Sequence, residues 1–157
     1  MSCDGPDSPG RPAPEDGSRG RVRPRPLHTR PRFLFIVLLG GTAGTSVRHA
    51  TAELAPTWHQ VPVGTLAVNL VGAFLLGLLI ETLLRRGPDL ALRRDLRLLL
   101  GTGFMGGLTT YSTFAVESQG LLDGGHVGTG LAYALGTVTA GLALAALGVA
   151  SARRWLA

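Results

Sequence analysis

The chain has 157 residues, 45% of them hydrophobic, and carries fifteen arginines, no lysine, ten acidic residues and a formal net charge of +5. Its one cysteine, Cys3, excludes a disulfide framework within the chain and a cysteine-built metal site. The basic balance invites a nucleic-acid reading, but the arginines flank apolar segments and do not stripe a folded face. Charge that sets membrane topology is therefore the better reading, and no nucleic-acid partner is expected.

Residues 1–32 are rich in Pro, Gly, Arg and Asp and hold almost no large apolar side chain. Such a stretch buries too little surface to offset the entropy of ordering, so a disordered cytoplasmic tail is expected. Its charged region is too long for a secretory signal, and no small-residue cleavage site follows the apolar run. Residues 33–157 form the expected membrane domain. A spanning helix needs about 20 mostly apolar residues, and four candidates follow in order. The first runs from Phe33 to about Val47, somewhat short before Arg48. The second, from about Val61 to Leu84, contains Asn69 and, near its end, Glu81. The third, from about Leu96 to Gly120, is interrupted by the run GGLTT at 106–110. The fourth, Val127 to Ala152, holds no charge. Pro56, Gly87–Pro88 and Gly124–Gly125 punctuate the three short connections. Gly40/Gly44 and Gly103/Gly107 are spaced four apart, which permits close approach of helix backbones.

Arginine placement gives an orientation. With the N-terminus inside, the tail, the second-to-third connection and the C-terminus together hold fourteen arginines, against Arg48 alone on the other side. Both termini are therefore expected in the cytoplasm.

Polar residues inside a bilayer are costly, so each is a functional candidate. Asn69 lies in the second span, Thr109, Thr110, Ser112, Thr113 and Glu117 in the third, and Tyr133, Thr137 and Thr139 in the fourth. His28, His49, His59 and His126 fall in the tail or the connections, and nothing resembles the site of an enzyme. The segment GFMGGLTTYSTF at 103–114 is the most informative. Two glycines beside two threonines make a poor continuous helix. A break at this depth frees backbone carbonyls, hard oxygen ligands suited to a small cation. Tyr111 and Phe114, at i and i+3, share one face beyond the break, where positive ring edges could flank a small anion. The plainer alternatives are aromatic packing, hydroxyls bonded back to their own helix, and Asn69 as interhelical glue.

GGTAGTSVRH at 40–49, GTLAVNLVGAFLLG at 64–77 and GFMGGLTTYSTFAVE at 103–117 resemble the signature stretches of the Fluc/CrcB fluoride channels, in the same order and spacing over residues 33–152. The resemblance implies an all-α membrane protein of four transmembrane helices, the third broken mid-span, assembled as an antiparallel, dual-topology dimer in the cell membrane. It implies passive export of cytoplasmic fluoride. It also implies a structural sodium ion (Na+) at the dimer centre, not transported, held by the carbonyls of Gly106 and Thr109. The fluoride-lining rings match Tyr111 and Phe114, with Asn69 as polar partner. Thr110, Ser112 and Thr113 would support the pore, Glu117 would lie further along it, and Arg48 would guard a vestibule. Tyr133 and Thr137 match the start of a polar track. Two departures stand out: Tyr111 replaces a usual Phe, and Gly141 and Ala145 occupy later steps of the track where hydroxyls are typical. The arginine bias makes a heterodimer with an inverted paralogue the alternative to a homodimer. Readings from other classes are a small multidrug exporter, which needs a carboxylate that residues 33–47 lack, and a membrane subunit without transport.

Overall fold

The computed structural model describes residues 31–58, 60–87 and 91–156, and the expected disordered tail lies almost wholly outside them. Helix α1 spans Pro31–Leu54. It starts two residues before the expected span, with Pro31 at its first position, where a missing N–H costs nothing. It also continues past Arg48, because helix does not end where hydrophobicity does. Thr51 bonds back to the Val47 carbonyl at 2.8 Å, and nothing disfavours helical backbone until Pro56. A two-residue antiparallel ladder, β1 (Thr57–Trp58) with β2 (Val61–Pro62), then reverses the chain. Helix α2 spans Val63–Arg85.

The next stretch is divided. Helix α3 (Ala91–Leu96) leads into a nine-residue π-helical segment, Arg97–Met105, and then the short α4, Gly106–Leu108. Thr109 and Thr110 are extended, and helix α5 runs Tyr111–Asp123. The sequence placed the interruption across 106–110. It is confined to the two threonines, while both glycines stay helical. Helix α6, Val127–Trp155, completes the chain. Among the described residues three helices, α1, α2 and α6, are long and apolar enough to cross a membrane.

Close contacts give the directions. Gly40 meets Leu99 and Phe104, and Gly44 meets Phe104 and Leu108, so α1 runs parallel to the π-helical segment and α4. Leu70 lies by Gly141, Gly77 meets Ala145, and Glu81 pairs with Arg153, so α2 runs parallel to α6. Glycine is required at these positions. A Cβ at Gly40 or Gly44 would collide with the Leu99 or Phe104 carbonyl oxygen, and one at Gly77 or Gly148 with that of Ala145 or Phe74. Backbone thus packs on backbone across both pairs, the arrangement small residues permit between membrane helices. Val68, Met105 and Leu108 form the buried apolar centre where the pairs meet.

Ion pairs close one end of the bundle. Arg32 on α1 pairs with Asp95 on α3. Glu81 on α2 receives Arg85 at 2.8 Å and Arg153 of α6 at 3.0 Å. Most large side chains of the long helices point outward, including Leu34, Leu38, Leu142 and Leu147. Gly44→Ala is expected to cost at least the 1–3 kcal/mol typical of overpacking, whereas a Cβ at Gly136 meets nothing within 4 Å and Gly136→Ala should be nearly neutral. Thermal unfolding of the two variants in detergent checks the contrast.

Candidate ion pathway

The site is built around Thr110. Its N–H donates to Asn69 Oδ1 at 2.8 Å, and its carbonyl accepts from Asn69 Nδ2 at 3.0 Å. One α2 side chain thus satisfies both backbone groups of a residue held outside helical geometry, as burial demands. Thr110 is also the N-cap of α5: its Oγ1 accepts the Thr113 N–H at 3.2 Å. It donates in turn to Thr113 Oγ1 at 3.0 Å and lies 3.3 Å from Ser112 Oγ.

These bonds release two particular carbonyls. In a continuous helix the Thr110 N–H would go to Gly106 and the Thr113 N–H to Thr109, one turn back. Asn69 and the Thr110 hydroxyl take those donors instead. Gly106 is exposed on the surface of the chain. The Thr109 carbonyl has only a long contact, 3.5 Å, from Arg48 Nη1. Two unsaturated carbonyls one turn apart are a donor set that fits a hard cation such as sodium.

Beyond the interruption the rings form a chain. Tyr111 and Phe114 have centroids 6.1 Å apart, tilted by 49°, and Phe114 and Tyr133 lie 5.5 Å apart, tilted by 48°. Tyr111 is 81% exposed and projects from the chain. A cavity of about 370 Å³ is lined by Asn69, Thr109, Thr110, Tyr111, Phe114 and Thr137. A second, of about 280 Å³, lies on the other side of Thr110 and holds Arg48 with Thr45, Thr65 and Thr113. The N-terminus of α5, with unpaired N–H groups and the positive end of its dipole, points to this region and favours an anion.

Glu117 is fully engaged: Thr65 donates to Oε1 at 2.6 Å and Tyr133 to Oε2 at 2.8 Å. The structure therefore brings Asn69, Thr110, Tyr111, Phe114, Glu117, Tyr133 and Thr137 into one continuous region, with Arg48 at a neighbouring opening. Thr137 spends its proton on the Tyr133 carbonyl at 2.6 Å, the back-bonding common for membrane threonines. Thr139 does the same with Leu135 at 2.8 Å, away from the path. Thr65 is the residue that sequence reasoning missed. Its signal was available in the i, i+4 spacing from Asn69, which puts both on one face of α2.

Outward-facing apolar helices around an inner polar seam define an all-helical membrane protein, of a kind suited to passing a small ion. Residues 35–149 match the family described as CrcB-like protein, Camphor Resistance (CrcB), and the chain belongs to that family. It is 45% identical over 125 residues, 80% of this chain and 86% of the relative, to a protein of Leifsonia xyli subsp. xyli named fluoride-specific ion channel FluC 2. It is 42% identical over 123 residues to the fluoride-specific ion channel FluC of Pyrococcus furiosus, covering 78% of this chain and 98% of that one. A relative from Cutibacterium acnes, fluoride-specific ion channel FluC 1, is 45% identical over 128 residues, 81% of this chain and 90% of its own length. All three names describe ion channels and not enzymes.

Asn69→Ala strands the N–H and the carbonyl of Thr110. At about 1–3 kcal/mol for each unmet buried group, its stability loss should exceed that of Thr139→Ala, whose hydroxyl only bonds its own helix. Denaturation of the two variants side by side makes the comparison.

Proposed function

We propose that this chain forms a fluoride-selective channel through which cytoplasmic fluoride leaves the cell passively, relieving its toxicity. The observation that carries the proposal is the cavity at the helix interruption, where Asn69, Tyr111 and Phe114 converge, in a chain whose relatives are named fluoride-specific channels. Fluoride is small and strongly hydrated, so a narrow path must replace its water with donors and positive ring edges. Asn, Ser, Thr and Tyr provide donors without a fixed charge that would trap the ion, so it can enter and still leave. Arg48 raises the local potential at an opening without standing in the narrow part.

In this reading residues 91–123 form a fourth crossing, broken at Thr109–Thr110. A second protomer inverted in the membrane covers the exposed face that carries Gly106 and Tyr111. The freed carbonyls of Gly106 and Thr109 would hold sodium between the two protomers, where it supplies fixed positive charge and joins the two interruptions without being transported. Its site is built wholly from backbone, so substitutions that alter only side chains leave the ligands in place.

Phe114→Ile keeps apolar volume and removes a ring edge, so fluoride efflux from liposomes holding the variant purified together with its channel partner should fall at least tenfold. Tyr111→Phe should conduct as well as the parent. Normal flux through Phe114→Ile would refute the two-ring path.

Orientation bears on the partner. Among the described residues Arg32, Arg85, Arg86, Arg93, Arg94, Arg97, Arg153 and Arg154 belong to the end closed by the Arg32–Asp95 and Glu81–Arg153 pairs, and Arg48 to the other. So biased a chain inserts with that end in the cytoplasm, and two such copies do not pair head to tail. The native partner is then an inverted paralogue with the opposite bias. Expression of this chain alone with a C-terminal reporter should give signal on the cytoplasmic side only. Substantial signal on both sides, together with restored fluoride resistance in a sensitive cell, would establish the homodimer instead.

A further inference from the structure

One glycine of α2 is tightly packed for a different reason from the rest. Gly72 lies three residues after Asn69, on the same face of the helix. It is buried, and it lines the ion-path cavity together with Thr109. A Cβ at Gly40, Gly44, Gly77 or Gly148 would strike a backbone carbonyl, whereas one at Gly72 would strike the Cγ2 methyl of Thr109. That methyl is not free to swing aside. The Thr109 hydroxyl donates to the Met105 carbonyl at 2.8 Å, and the Thr109 N–H donates to the same carbonyl at 3.0 Å. Turning the β-branched side chain away from Gly72 gives up the hydroxyl bond. Thr109 is thus clamped between the Met105 carbonyl and the bare backbone of Gly72.

Asn69 and Gly72 control different properties of one peptide unit. The Thr109 carbonyl and the Thr110 N–H belong to the same trans peptide and point in opposite directions. Asn69 Oδ1 takes that N–H at 2.8 Å, so the Thr109 carbonyl is turned away from Asn69. Gly72 sets how closely the unit approaches α2. We infer that Gly72 is a positioning residue for the cation. With no side chain there, Thr109 settles at the depth where its carbonyl and that of Gly106 serve one ion. The inference rests on the reading of these two carbonyls as sodium ligands, and adds to it a residue on another helix that is not itself a ligand. Because the ligands are backbone atoms, the site is lost by displacement and not by deletion. A hard cation holds its oxygens within a narrow range of distance, so a displaced Thr109 weakens the site even where the helices still pack.

The test is thermal unfolding of the full-length chain purified together with its channel partner, titrated with sodium chloride against N-methylglucamine chloride at constant ionic strength. Each variant gives two quantities, the Tm without sodium and the sodium concentration of half-maximal stabilisation. Gly72→Ala should raise that concentration about tenfold, the scale of a modest overpacking penalty. Thr109→Ser removes the clashing methyl and keeps a hydroxyl for Met105. Adding Gly72→Ala in the Thr109→Ser background should therefore change the concentration by less than about twofold. A glycine needed only for packing would lower the Tm without sodium and leave the half-maximal concentration where it was, and that result overturns the proposal. An equal shift in both backgrounds overturns it as well. A parent channel whose Tm ignores sodium removes the sodium site itself and the inference with it, whereas a sodium-responsive parent with an unshifted Gly72→Ala sinks the inference alone. If Gly72→Ala prevents assembly, the double variant decides. Recovered assembly with the sodium response of Thr109→Ser supports the proposal, and assembly that stays lost overturns it.

Discussion

The exchange of two hydrogen bonds between Asn69 and the backbone of Thr110 is the constraint on which the rest of the site depends. An extended residue in the interior of a membrane bundle has a donor and an acceptor that neither water nor its own helix can meet. Asn meets both with one planar amide, at 2.8 and 3.0 Å. An acidic residue would offer no donor, and an aliphatic one neither. With Thr110 held in this way, its hydroxyl can cap α5, and the carbonyls of Gly106 and Thr109 are left without helical partners. The interruption, the cap and the freed carbonyls are one arrangement viewed from three sides.

That arrangement needs a rigid frame, which the glycines supply. Gly40 and Gly44 on α1 seat the backbone of the segment that leads into the interruption, and Gly107 on that segment fits against Gly41 and Thr45. On the other pair, Gly77 and Gly148 fix α2 against α6. Asn69 and Thr65 on α2 are therefore held at a set height relative to Thr110 and Glu117, and Tyr133 on α6 moves with them. A sliding of either pair by one residue would be about 1.5 Å, enough to break the Asn69 contacts.

The apolar runs, the turn residues and the intramembrane polar residues were all legible in the chain, since each follows from composition or period. The limits of α1 were not, because hydropathy marks the bilayer and not the end of hydrogen bonding. The sequence spreads the interruption over 106–110, whereas the backbone leaves helical geometry only at Thr109 and Thr110. Low propensity pointed to Gly106 and Gly107, yet tight packing keeps Gly107 helical, and a partner on another helix extracts Thr110. Propensity is a local quantity, and the deciding bond spans 41 residues. The spacing of Thr65 from Asn69 marks its face of α2, but its partner Glu117, 52 residues away, is not marked in the same way. The π-helical geometry of Arg97–Met105 leaves no mark in the sequence that we can identify.

A small anion needs donors that are not already committed, and most donors near the path are committed. Thr137 gives its proton to Tyr133, and Tyr133 and Thr65 give theirs to Glu117. The Thr110 hydroxyl is given to Thr113. What a passing fluoride could still engage is the second N–H of Asn69 and the hydroxyls of Tyr111, Ser112 and Thr113, and the last three residues are exposed. In the proposed channel the path is therefore unfinished within one protomer. Its donors point across an interface, and a wall on the far side has to come from the second chain. That demand falls on Tyr111 in particular, since its ring touches Phe114 on one side and is otherwise open. The weak hydroxyl supply of α6 after Thr137, where Gly141 and Ala145 follow, adds to the same requirement, because a conducting pore needs replacement donors at every step once water has been stripped from the ion.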